Sequence, residues 1–127
     1  SNCKMRAWQA VVQVGTGMTY TSSASNSNNG DKITINTAGV YTISYADNAG
    51  AAFGFGIVKN PADTTVAIYS QTITTVRLMA AITSAANVPS VVSWTGALAA
   101  NDVIQCNGDG TTGGTDVRSQ FVITQVM

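Results

Sequence analysis

The chain has 127 residues and a formal net charge of zero, and only 9% of its residues are charged, against about 25% in an ordinary domain. Its six cations (Lys4, Arg6, Lys32, Lys59, Arg77, Arg118) are scattered rather than striped, which argues against nucleic acid and against a polybasic membrane surface. There is no His and no Glu, so Ser-His-Asp and Cys-His catalysis are excluded. No apolar run approaches the ~20 residues of a membrane helix.

In chain order the residues read as short strands separated by turns. Val, Ile and Thr are abundant, while Leu78 and Leu98 are the only leucines. Stiff β-branched side chains suit pleated strands better than helices. Ala7 to Val14 reads as a first strand and Met18 to Thr21 as a second. Ser22 to Asp31 is a polar loop of Ser, Asn and Gly. Lys32 to Asn36 and Val40 to Asp47 alternate apolar and polar residues and read as a hairpin. Asn36-Thr37-Ala38-Gly39 forms its turn, with Gly39 free to take a positive φ.

Ala52 to Lys59 follows, with Phe53, Phe55 and Ile57 on one face and Gly54 and Gly56 on the other. Glycines on one face leave room for a close neighbour, either a second sheet or a second subunit. Thr65 to Gln71 and Thr72 to Ala86 read as strands, as do Val91 to Thr95, Val103 to Cys106 and Ser119 to Val126. Asn107 to Thr115 is a Gly/Thr/Asp loop. The expectation is one all-β domain over 1–127, a compact jelly-roll β-sandwich of about eight to ten short antiparallel strands.

Cys3 and Cys106 lack metal-site spacing. Two small buried thiols fit them better than a disulfide. The six acids, Asp31, Asp47, Asp63, Asp102, Asp109 and Asp116, fall in or beside turns, where capping of backbone amides is their ordinary role.

Four pieces resemble one family in the same order. Thr37 to Tyr45 is similar to the Gly-Val-Tyr strand motif of the globular head of complement's first component, whose jelly roll is shared with the tumour necrosis factor superfamily. Val58-Lys59-Asn60 resembles that family's strand ending in a basic residue and Asn. Val91 to Ile104 resembles its hairpin around a Gly-Asp turn, with Asn101 where the Gly usually stands. Ser119 to Val126 resembles its closing strand, with Phe121 at the aromatic position. The richness in Ala and Thr is closer to phage and bacterial members.

The resemblance implies a homotrimer of jelly rolls, and the lack of His and Glu leads to the expectation of no catalytic residues. Gly39, Tyr41, Tyr45, Phe53, Phe55, Trp94 and Phe121 are then landmarks of the core or of subunit faces. With the low charge, it points to a virion structural protein on the outer surface of the capsid: a trimeric decoration or cement protein of a phage head. Residues 1–6 would be a contact arm, with Lys4 and Arg6 touching the shell. The alternatives are a receptor-binding head of a phage tail or head fibre, and an extracellular bacterial surface or spore-coat protein. For a fibre head, the ligand loops would carry Asn28, Asp31, Asp109 and Asp116. No cofactor is expected; calcium at Asp109 and Asp116 is a minor alternative suggested by the family.

Overall fold

The computed structural model describes residues 3–23, 29–111 and 119–127. They form eight strands and one short 3-10 turn. The strands are β1 (Met18–Thr21), β2 (Lys32–Ile35), β3 (Gly39–Asp47), β4 (Gly54–Lys59), β5 (Arg77–Ile82), β6 (Ser90–Leu98), β7 (Val103–Gly108) and β8 (Gln120–Gln125), and the 3-10 turn is Ile68–Ser70. A five-stranded sheet runs β1-β2-β7-β4-β5 and a three-stranded sheet runs β6-β3-β8. Every ladder is antiparallel. Three of the ladders nest: β4 with β5, β3 with β6, and β2 with β7.

The all-β expectation holds, and the protein is a two-sheet antiparallel sandwich. Alternation places Tyr41, Ile43 and Tyr45 of β3, Val92 and Leu98 of β6, Phe55 and Ile57 of β4, and Ile104 and Cys106 of β7 in one core. Tyr45 is its hub: the ring meets Phe55 edge-on at 5.1 Å and lies 6.0 Å from Trp8 and 6.3 Å from Phe121. Phe53 stacks on Phe55 at 5.5 Å. Aromatic pairs in these geometries each contribute about 0.5–1.5 kcal/mol beyond their burial. Trp94 is half-buried against the same core and covers Gly96. Of the expected landmarks, Tyr41, Tyr45, Phe53 and Phe55 lie in the core, Trp94 and Phe121 pack against it, and Gly39 is outside it.

Pairing departs from the sequence expectation at two corners. β2 and β3 are not a hairpin: β2 pairs with β1 and β7, β3 with β6 and β8. The chain crosses from one sheet to the other at 36–38. Gly39 is not among the residues at positive φ. A Cβ there would lie 2.2 Å from the Met127 carbonyl oxygen, so glycine admits the returning C-terminus rather than making a turn. β6 and β7 also lie in different sheets, joined by a corner at Ala99 to Asp102. Asn101 occupies the left-handed region there, φ 73°, which Asn tolerates. Asp102 accepts from Ala99 N at 2.9 Å and from Asn60 Nδ2 at 2.8 Å.

Two expected strands are absent. Ala7 to Val14 makes no ladder. Trp8 donates its backbone N–H to Asp31, and Gln13 substitutes for a neighbouring strand. Its amide donates to Met18 O at 2.7 Å and accepts from Tyr20 N at 3.2 Å along the β1 edge. Thr65 to Gln71 is a turn followed by the 3-10 turn. Asp63 starts it by accepting from Thr65 N and Oγ1. The 65–71 excursion folds onto the glycine face of β4, where Ile68, Val58 and Met5 make a second small core. Gly54 is thus covered by Tyr69 and Ile68 of a turn of the same chain, and Gly56 by Ile68 and the backbone of β5. Of Thr72 to Ala86, only Arg77–Ile82 is strand.

Candidate functional site

The sequence-predicted contact residue Arg6 is turned inward. Its Nε donates to Asp47 Oδ2 at 2.7 Å, and its Nη2 bonds Asp47 Oδ1 and Ser119 Oγ. Ser119 Oγ donates to Asp47 Oδ1 at 2.5 Å, and the Tyr45 hydroxyl donates to Asp47 Oδ2. Asp47 is fully buried, while the Arg6 side chain keeps 39% exposure. Burial would push the Asp47 carboxyl up, but the hydrogen bonds from Arg6, Ser119 and Tyr45 outweigh it and hold it below the usual carboxylate range. The arm is therefore anchored into the domain at Arg6, so that side chain is committed to the fold. Asp47 is not the solvated cap expected of a turn aspartate. Lys4 is half-buried, and its backbone pairs with Thr64 O and Gly108 N.

The predicted ligand loops divide in the same way. Asp31 is 5% exposed and accepts from Trp8 N and Ser23 N at 2.7 Å each, from Ser23 Oγ, and from the Tyr20 hydroxyl. Burial opposes its charge, yet those donors hold its pKa below the ordinary value. Asp109 accepts from Gly54 N and Thr111 N at 2.8 Å each. Both carboxylates are engaged in hydrogen bonds within the chain. Asn28 and Asp116 lie outside the described residues. Among the described residues no His, Cys, Asp or Glu cluster could hold a metal ion. No disulfide joins Cys3 and Cys106, and burial pushes the Cys106 thiol well up.

What the fold does assemble is a surface. The outward side chains of the three-stranded sheet fall into four rows across β6, β3 and β8: Val91–Ala46–Gln120, Ser93–Ser44–Val122, Thr95–Thr42–Thr124 and Ala97–Val40–Val126. None is charged. Val91, Val122 and Val126 are 58%, 47% and 53% exposed, and the Thr42 and Thr95 hydroxyls bond each other at 3.0 Å. Along the β1 edge of the five-stranded sheet, which Gln13 lines, the chain carries Val11, Val12 and Val14, the last two 91% and 88% exposed.

The opposite outer face, on the five-stranded sheet, carries an open groove of about 420 Å³. Its floor is Lys32, Val103 and Gln105, and its walls are Asn29 and residues 60–64. Sequence reading missed both surfaces, because each is formed by strands distant in the chain. The one early signal was that the strands at 40–46, 91–98 and 120–125 contain no charged residue.

No protein-family model matches this chain, and no curated protein matches it.

Proposed function

We propose that this protein is a structural subunit that works by self-assembly, a homotrimer on the outer surface of a virion, in the manner of a phage capsid decoration or cement protein. The observation that carries the assembly reading is the uncharged outer face of the three-stranded sheet. Subunit contacts are depleted of charge at their centres, and an uncharged sheet face with exposed valines is the kind of surface a partner covers. The nested ladders β4–β5, β3–β6 and β2–β7 support the jelly-roll reading, in which a long antiparallel hairpin is wound into two sheets. That reading, with the motif resemblance, supports a kinship with the complement globular head and tumour necrosis factor jelly rolls. The virion placement follows from the same resemblance together with the charge-poor, Ala- and Thr-rich composition.

Light scattering at micromolar concentration tests the assembly, with three chains per particle expected; a stable monomer overturns it. Antibody labelling of purified phage particles tests the placement. Label distributed over the head is expected of a decoration protein, and label confined to a tail or head fibre favours the receptor-binding head. The polar groove is the feature that favours this second reading.

A further inference from the structure

We infer that the groove on the outer face of the five-stranded sheet is a binding site for an acidic sugar. Its volume falls in the range of about 300–1,000 Å³ typical of small-ligand sites. Its lining is mainly polar, with no aromatic side chain, which disfavours an apolar occupant.

The walls are held in place without a ligand. Asn60 sits at φ 48°. Its Nδ2 donates to Asp102 Oδ1 at 2.8 Å, its Oδ1 accepts from Val103 N at 2.7 Å, and its own N–H donates to Val103 O. Thr64 O accepts from Lys4 N at 2.8 Å, tying the wall to the N-terminal segment. Such preorganisation lowers the ordering cost of binding.

The floor presents an acceptor with no protein partner. Gln105 is 3% exposed. Its Nε2 is committed to the carbonyl oxygens of Asn29 at 2.7 Å and Asp31 at 3.3 Å. That fixes the amide orientation and leaves Oε1 as an acceptor with no partner among the described residues. Oε1 is not one of the sealed, unsatisfied atoms of the interior, and Gln105 lines the groove. A buried side chain with an open acceptor calls for a donor from outside, and a sugar hydroxyl is one.

Charge completes the specificity. Lys32 on the floor and Asp63 on the wall form no ion pair, the Arg6–Asp47 pair being the one salt bridge among the described residues. The Lys32 ammonium suits a carboxylate. Asp63 commits Oδ1 to Thr65, and its second oxygen is left to accept hydroxyls. A ligand with one carboxylate and several hydroxyls meets all three groups. The site lies on the face opposite the proposed subunit contact, so it stands or falls separately from the assembly.

The test is an amide NMR titration of the full chain with D-glucuronate, D-glucose and acetate. Glucuronate is expected to move the amides of Lys32, Asp63, Thr64 and Gln105 saturably, with a Kd on the order of 1 mM, and glucose to bind about tenfold more weakly. Lys32→Gln should abolish the preference for glucuronate over glucose, and Asp63→Asn should weaken both. Three results overturn the assignment: no saturable shift with glucuronate, shifts mapping elsewhere, or acetate reproducing them in full. Both substitutions are on exposed or half-exposed side chains, and the unperturbed remainder of the spectrum reports that each variant is folded.

Discussion

Asp47 shares the parity of Tyr41, Ile43 and Tyr45, so the strand that buries those rings carries a carboxylate in with them. The fold accommodates it because Arg6, Ser119, Tyr45 and the Asn48 amide all donate to it. Removing Asp47 leaves those donors unmatched. Asp47→Ala should cost about 2 kcal/mol at neutral pH, less than the 3–5 kcal/mol for a fully buried pair because Arg6 still reaches water. Acid should act in the same direction. A folded-state pKa held below the unfolded value means stability that is present above about pH 4 and lost as pH falls through the depressed value. Asp31 and Asp109 are shifted the same way. Thermal unfolding followed from pH 7 to pH 2 should show a plateau and then a fall below about pH 4. The gap between wild type and Asp47→Ala should narrow along that fall; a gap independent of pH would remove the charge from the explanation. Cys106 offers a second check: its thiol is buried and its pKa raised. A thiol reagent should leave it unmodified in the native protein and reach both cysteines once the chain is denatured.

Strand β4 shows how far element-level reading goes. The alternation of Phe53, Phe55 and Ile57 with Gly54 and Gly56 gave the two faces of the strand correctly. The occupant of the glycine face was not legible, because it comes from residues that themselves read as a strand. Thr65 to Gln71 has β-forming composition, and the Asp63 cap and the space over the glycines overrule it. The same limit produced the two false hairpins. Alternation says which way each side chain points along a strand, while the choice of partner strand depends on contacts far away in sequence. The site was less legible than the fold: Lys32 and Gln105 stand more than seventy residues apart, and neither belongs to a motif. The glycine face can be tested by adding a methyl group. At Gly56 a Cβ would lie 2.2 Å from the Met79 carbonyl oxygen and 2.9 Å from Ala80 Cα, both backbone. At Gly54 it would meet the ring of Tyr69 at 2.4 Å, but Tyr69 is 47% exposed and can swing aside. Gly56→Ala should therefore cost about 3 kcal/mol and Gly54→Ala about 1 kcal/mol by denaturant unfolding. A Gly56→Ala cost no larger than that of Gly54→Ala would mean that the β5 backbone does not crowd Gly56 as described, and a Gly54→Ala change without any cost would mean that Tyr69 does not cover Gly54.

At the scale of the whole molecule, charge is partitioned between the two sheets. Apart from the Arg6–Asp47 pair, the charged side chains among the described residues belong to the five-stranded sheet, its connections or the N-terminal segment that pairs with it, and the outer face of the three-stranded sheet has none. That face is also small. Three strands about 4.8 Å apart and seven residues long at about 3.4 Å each give a footprint on the order of 300 Å². A standard contact covers about 800 Å² on each partner, so the face needs help. A cyclic trimer brings two different patches of each subunit together, and the exposed Val11, Val12 and Val14 by the β1 edge are the second patch this reading selects. Ser44 stands within the lattice, between Ser93 and Val122. Ser44→Lys would place an unpaired charge in each contact while leaving a side chain that the isolated subunit can solvate. It should therefore reduce the particle from three chains to one at micromolar concentration, with an unchanged far-ultraviolet spectrum. Paired Val12→Ser and Val14→Ser substitutions should weaken the trimer without abolishing it, seen as dissociation at higher protein concentration than for wild type. Thr34→Lys, on the other sheet's outer face, should leave the mass at three chains. A trimer that survives Ser44→Lys but falls to Thr34→Lys would move the contact to the five-stranded sheet, where it would compete with the groove.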